Sequence, residues 1–263
     1  MQKLIAQQFF CFPKEQPLSI IYKDINCLKS RLFLALSLQV SPKNGFLLQL
    51  RKSKLGHYLS SFLLSSKTTI TSLKSENIKI GYINNHKLLL FTFDNNNNPD
   101  SVFKKNADGL WLSTPFVGYS VIEEYTKKEY FKKKKFIKLA LEKRWQELEK
   151  GNNLHGDFTH FNILLSYNNK LTVIDENKCE NSKLFDHFYF YSYFIQCLEK
   201  CKTISKTHVL EIKKDLQNLT AKICKAKDIK ELLVSIDTKK ALGIDNKQKK
   251  LAEFTNFMLK NER

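Results

Sequence analysis

The sequence predicts an α+β protein of two lobes: a small antiparallel β lobe at residues 1–93, a linker region at 94–118 and a mainly helical lobe at 119–263. Three observations carry this reading. Apolar runs separated by turn residues fill the first half, the polar stretch DNNNNPDS interrupts the chain at residues 94–101, and from residue 119 apolar side chains recur at intervals of three, four or seven. With 263 residues, 42% of them apolar, the chain can bury one sizeable core or two modest ones without covalent staples. Six cysteines at scattered positions, with no C-x-x-C pair, read as the reduced thiols of a cytosolic protein.

The elements follow in order. Phe9, Phe10 and Phe12 form an apolar run too short for a secretory leader, and Pro13, Lys14 and Glu15 follow it instead of a small-residue cleavage site. Residues 32–40 and 46–50 are apolar and flank SPKNG, whose Asn44-Gly45 suits a hairpin turn. Leu59, Phe62 and Leu63 lie on one helical face, which predicts a short helix over 55–66. A second hairpin spans 78–93 and turns at Asn84-Asn85. The asparagine-rich run with its proline cannot pack in a core and marks the lobe boundary. Beyond it, Tyr130, Ile137, Leu141, Trp145 and Leu148 define one face of a long helix ending at Gly151, and Val209, Ile212, Leu216, Leu219 and Ile223 give the tail the same periodicity. The longest apolar stretch, LFLALSL at 32–38, is far shorter than the roughly 20 residues of a membrane span. These features predict a cytoplasmic protein, at most peripheral to the inner face of the membrane.

A net charge of +18, from 44 basic and 26 acidic residues, admits nucleic acid, an anionic membrane or phosphate-bearing substrates as partners. Only Arg31, Arg51, Arg144 and Arg263 are arginines, and guanidinium groups supply most bidentate base recognition, so specific nucleic-acid readout is disfavoured. A lysine- and asparagine-rich composition also arises from coding bias alone. The cluster KKEYFKKKKFIK at 127–138 is either a solvated helix face or, through Lys132–Lys135, a contact with an anionic membrane.

Residues 154–176, LHGDFTHFNILLSYNNKLTVIDE, hold the chemistry. A polar loop carrying His155, Asp157 and Asn162 leads into an apolar strand, a turn at Asn168-Asn169 and a second strand that delivers Asp175. Two oxygen ligands, Asn162 and Asp175, suit Mg²⁺, which shares its shell with water and nucleotide phosphates. A carboxylate five residues before the asparagine, Asp157, can take a proton from an attacking hydroxyl. Phosphoryl transfer asks for little further covalent chemistry, since its catalysis is positioning and charge neutralisation.

HGDFTHFNIL followed by VIDE resembles the catalytic loop and metal-binding strand of the aminoglycoside phosphotransferase and choline kinase branch of the protein-kinase-like superfamily, with its HGD-x4-N and ID-x-E patterns. The intervals from Asp157 to Asn162 and on to Asp175 are also similar to those of protein kinases. The resemblance implies ATP and Mg²⁺ as cofactors, ATP held between the lobes, Asp157 as catalytic base, Asn162 and Asp175 as metal ligands, and His155 as a catalytic-loop residue that shapes the loop. Asp186, ahead of FYFYSYFI, resembles an acidic residue that such enzymes place at the start of a helix. The implied acceptor is a small-molecule or glycan hydroxyl, for example a sugar of lipopolysaccharide or another surface polysaccharide.

The family places a basic residue on the third strand of the first lobe to touch nucleotide phosphates. Arg51, Lys52 and Lys54 are the candidates; Arg51 follows the V-A-I-K pattern most closely, and spacing does not separate the three. No glutamate occurs between Arg51 and Glu76 to pair with them, and Gly45 alone stands where a glycine-rich loop would be. These departures make a catalytically silent pseudokinase the first alternative, and the charge makes a basic nucleic-acid-binding protein the second. His155, Asp157 and His160 also admit a zinc or iron site, which would leave Asn162 and Asp175 unexplained.

Overall fold

A computed structural model describes residues 4–12, 18–33, 36, 66–73, 78–84, 87–105, 110–201, 203–225 and 228–260. The architecture is α+β, and the chain divides into two compact units, Met1–Val117 and Gly118–Arg263. The first is a seven-stranded antiparallel sheet in the order β3-β1-β2-β4-β5-β6-β7. Its strands are β1 (Leu4–Phe12), β2 (Leu18–Tyr22), β3 (Ser66–Leu73), β4 (Ile78–Asn84), β5 (Lys87–Phe93), β6 (Pro99–Lys105) and β7 (Trp111–Pro115). The β4–β5 hairpin is the one expected at 78–93, with Asn84 opposite Lys87.

Strand alternation sends Phe9 and Ile21 to one face, where they pack with Ile78, Leu90 and Trp111. The other face is apolar too: Phe10 stacks on Tyr22 at 5.4 Å and Tyr22 meets the edge of Phe33 at 5.5 Å. Burial on both faces erases the apolar-polar alternation by which β1 and β2 would announce themselves.

Two expectations change. Residues 94–118 are not a linker, because β6 and β7 pair along 99–115 and extend the sheet. The asparagine run is the tight turn feeding β6: the Asp94 carboxylate accepts from the backbone amides of Asn96 and Asn98, and Asn97 adopts a φ of 61°. Pro99 opens β6, a position where a strand tolerates a missing donor. The first expected hairpin begins instead with helical residues 31–33, capped by the Ser30 hydroxyl, which accepts from the Phe33 amide at 3.1 Å. Most of that hairpin, the helix expected at 55–66 except Ser66, which opens β3, and Arg51, Lys52 and Lys54 lie outside the described residues.

Among the described residues, the second unit joins a three-stranded sheet, β10-β9-β8, to five α-helices and a short 3-10 turn at Thr238–Lys240. Its strands are β8 (Tyr119–Ser120), β9 (Ile163–Leu165) and β10 (Leu171–Val173). The helices are α1 (Lys127–Glu149), α2 (Phe185–Lys200), α3 (Lys206–Ile223), α4 (Ile229–Val234) and α5 (Lys247–Lys260). The α1 helix starts at Thr126, whose hydroxyl accepts from the Glu129 amide, and buries all five apolar residues of its expected face. It stops at Gly151, which takes a φ of 84° that a side chain would resist. Apolar nearly all round, α2 is the central helix, covered by Phe254 of α5 and by α3, whose Gln217 donates to the Tyr191 hydroxyl at 2.9 Å. On α3, Val209, Ile212, Leu216 and Leu219 are buried as the periodicity predicts, while Ile223 is half-buried.

All six cysteines are free thiols, and Cys197 and Cys201 pack in the core. No helix among the described residues is long and apolar enough to cross a membrane.

Candidate active site

The segment from Leu154 to Asn162 crosses the second unit as an irregular loop, and its shape is dictated by buried groups beneath it. Asp186, in the first turn of α2, is fully buried. One carboxylate oxygen accepts from the His155 amide at 2.8 Å and from Arg144 Nε at 2.7 Å; the other accepts from the Gly156 amide at 3.0 Å. A buried carboxylate needs both charge and hydrogen bonds to offset lost hydration, and here it has one cation and two amides. Arg144, itself buried, also donates to Glu147 and to the backbone carbonyl of Asn153, tying the end of α1 to the entry of the loop.

Gly156 sits at a φ of 77°, and a Cβ there would lie 2.0 Å from the carbonyl oxygen of Asn177. Only glycine fits, so the middle residue of His155-Gly156-Asp157 is set by the close approach of a second backbone segment. That segment is 174–177. The Asn177 amide donates to the His155 carbonyl at 2.7 Å, and the Ile174 amide donates to the Asn162 carbonyl at 2.9 Å. Asp175 is thereby anchored on both sides to the loop that carries Asp157 and Asn162.

His155 completes the clamp. Its Nδ1 accepts from the Asp157 amide at 3.3 Å, so the proton resides on Nε2, which donates to the Ile174 carbonyl at 2.9 Å. Fully buried, with both ring nitrogens engaged by backbone, His155 is a positioning residue and has no free nitrogen for proton transfer to a substrate.

Asp157 and Asn162 meet directly. Asn162 Nδ2 donates to the backbone carbonyl of Asp157 at 2.8 Å and to its Oδ2 at 3.1 Å. Both neighbours are acceptors, which fixes the amide's orientation and turns Oδ1 away from them. Asn162 therefore presents an oxygen, the donor atom that Mg²⁺ prefers. Asp175 lies two residues beyond the last strand pair, Val173 with Ile163, is exposed, and holds a φ of 57°. Left-handed backbone outside glycine is uncommon and gathers at functional sites, although aspartate tolerates it better than most. The oxygen donors of Asn162 and Asp175 fit a hard divalent cation.

The zinc or iron alternative finds no shared site. His160 is buried away from His155, with its Nε2 3.0 Å from the Tyr125 hydroxyl, and burial pushes its pKa down to about 3. Among the described residues no group of three or more histidines, cysteines or acids is placed to hold a metal.

One neighbour of Asp157 escaped sequence reasoning. Tyr189, one turn after Asp186 on α2, donates to the Leu242 carbonyl. Burial, and then the charge of Asp157 beside its hydroxyl, raise its pKa far above the usual phenol range. The signal was present in the spacing: residues three apart on a helix share a face, so a helix presenting Asp186 to the loop presents Tyr189 to it as well. No family model matches the chain, and no curated protein or solved structure matches it either.

Proposed function

We propose that this protein is a Mg²⁺-dependent phosphotransferase that moves the terminal phosphoryl group of ATP onto a hydroxyl of a small molecule or glycan, such as a sugar of a surface polysaccharide. The observation that carries the reading is the oriented pair Asp157–Asn162, with Asp175 tethered beside it through Ile174 and Asn177. The resemblance of HGDFTHFNIL and VIDE to the aminoglycoside phosphotransferase and choline kinase branch supports it independently.

In this reading a carboxylate oxygen of Asp157 accepts the proton of the acceptor hydroxyl. The acceptor oxygen forms the new bond to phosphorus as the bond from phosphorus to the bridging oxygen of ADP breaks. Asn162 Oδ1 and the Asp175 carboxylate would hold Mg²⁺. The ion, when bound, supplies neutralisation of the phosphate charge. Asp186, Arg144 and His155 contribute rigidity, because a base that drifts by an ångström loses much of its advantage.

The test is ADP release by the full chain with Mg²⁺ and ATP across a panel of sugars, amino sugars and small alcohols. Asp157→Ala should lower turnover by about 10²- to 10⁴-fold while ATP binding persists. Asp175→Ala should raise the Mg²⁺ concentration needed for activity. Undiminished transfer in Asp175→Ala would refute the metal assignment, and ATP binding with no turnover in the native chain would make the protein a silent binding module.

A further inference from the structure

The lysine cluster at the start of α1 is divided by the structure into two sets. Lys127 pairs with Glu211, and Lys134 lies 2.5 Å from Asp215, which also accepts from the Tyr130 hydroxyl at 2.8 Å. These contacts bind α1 to α3 and neutralise two of the charges. At about 3.6 residues per turn, positions 128, 131, 132, 135, 138 and 139 project from the side opposite the buried stripe of α1. All six are exposed: Lys128, Phe131, Lys132, Lys135, Lys138 and Leu139. Within Lys132–Lys135, then, Lys132 and Lys135 belong to the outward face, while Lys133 is half-buried and Lys134 belongs to the helix pairing.

The outward face is unusual for mixing charge with large apolar groups. Phe131 and Leu139, two turns apart, are 42% and 52% exposed with four lysines around them. Two acidic residues temper this face: Glu142 lies 3.5 Å from Lys138, and Glu129 is within electrostatic reach of Lys132. Phe131 meets Tyr130 edge-on at 5.1 Å and has the Lys134 ammonium 5.9 Å from its ring centre, yet stays partly open to solvent, and Leu139 is more exposed still. A nucleic-acid site would favour arginine for its bidentate phosphate geometry and would find no partner for two apolar side chains at phosphate level. An anionic phospholipid surface uses both kinds of group. Lysine ammonium groups sit among the headgroups as point charges, and apolar side chains enter the boundary with the acyl chains.

We propose that the outward face of α1, Lys128 to Leu139, docks the protein on anionic phospholipid. The inference stands independently of the phosphotransferase reading, since it concerns a different face and a different measurement.

The experiment is co-sedimentation of the full chain with vesicles of phosphatidylglycerol and phosphatidylcholine, against phosphatidylcholine alone, over a range of salt concentrations. Binding is expected to the anionic vesicles only, falling steeply with salt. Each outward lysine should contribute about fivefold, so K128Q/K132Q/K135Q should weaken binding by about a hundredfold. F131S/L139S should weaken it several-fold and leave the salt dependence in place. Charge removed elsewhere matters only if net charge does the work, so K214Q/K230Q, at exposed lysines of α3 and α4, should bind as the native chain does. A Phe131→Trp variant should show blue-shifted emission on anionic vesicles. The proposal is overturned if K214Q/K230Q loses as much binding per charge, or if the emission of Phe131→Trp is unmoved. It is equally overturned if random duplex DNA is bound more tightly than the vesicles and F131S/L139S changes neither.

Discussion

At the scale of single residues, Asp186 shows how much of this site depends on one buried carboxylate. It holds the amides of His155 and Gly156 and the guanidinium of Arg144, and water reaches none of these contacts. Asp186→Asn keeps the shape, but leaves Arg144 with a buried charge facing an amide. Breaking a buried pair in this way costs about 3–5 kcal/mol, which urea denaturation of the variant should read as a lower midpoint with an unchanged slope. The proposed phosphotransfer should fall with it, because one of the two oxygens that orient the loop becomes an NH₂ donor. That Asp157 and Asn162 share one loop and that a strand returns Asp175 to it could be read from their intervals in the sequence. The reason for Gly156 was not legible, since it lies in a carbonyl oxygen twenty-one residues further along the chain.

At the scale of elements, the helices were readable and most strands were not. Apolar periodicity located α1 and α3 because each buries one stripe, and the β4–β5 hairpin was visible from its turn. β1 and β2 escaped because both of their faces are covered. β3, with the sequence SKTTITSL, escaped because it has few apolar residues, and β6 because its proline stands at the first position. The α2 helix illustrates a different limit. Its run of aromatics reads as core, yet one of them, Tyr189, reaches Asp157. Tyr189→Phe removes a polar group that donates to Leu242 and lies beside the proposed base, Asp157. The acidic limb of the pH–rate profile should move, with KM little changed. An unmoved acidic limb would show that the hydroxyl serves only Leu242.

At the scale of the whole molecule, acid should weaken the fold well before general carboxylate protonation. His160 and His187 are fully buried, and burial lowers their pKa values to about 3 and about 4. Unfolded, each binds a proton near pH 6.5. A depressed histidine pKa means that the folded state holds the neutral ring, so stability is complete above about pH 6.5 and declines as pH falls toward 4. The decline approaches about 1.4 kcal/mol per pH unit for each ring. Denaturant midpoints measured from pH 7.5 to 4.5 should trace it, and His160→Gln should remove about half of the slope. The charge of +18 carried less information than its size suggests. On α1 some lysines hold helices together and others face outward, and composition does not distinguish them. The chain divides into two units at 117/118, and the asparagine run is a hairpin turn inside the first of them.

The connection through Ile174 has an evolutionary consequence. Its amide donates to the Asn162 carbonyl, main chain to main chain, a link that side-chain replacement leaves intact, while its carbonyl accepts from the His155 ring. Reaction and architecture are consequently inherited through different atoms. A descendant could lose Asp157 or Asp175 in a single step and keep the loop, the clamp and the buried Asp186 beneath it. Proline at 174, which lacks the amide, would cut the main-chain half directly, and replacement of His155 the other half. In a lineage of such chains, retention of the fold would testify to the scaffold alone, and the three polar side chains would have to be followed separately to know where the chemistry ends.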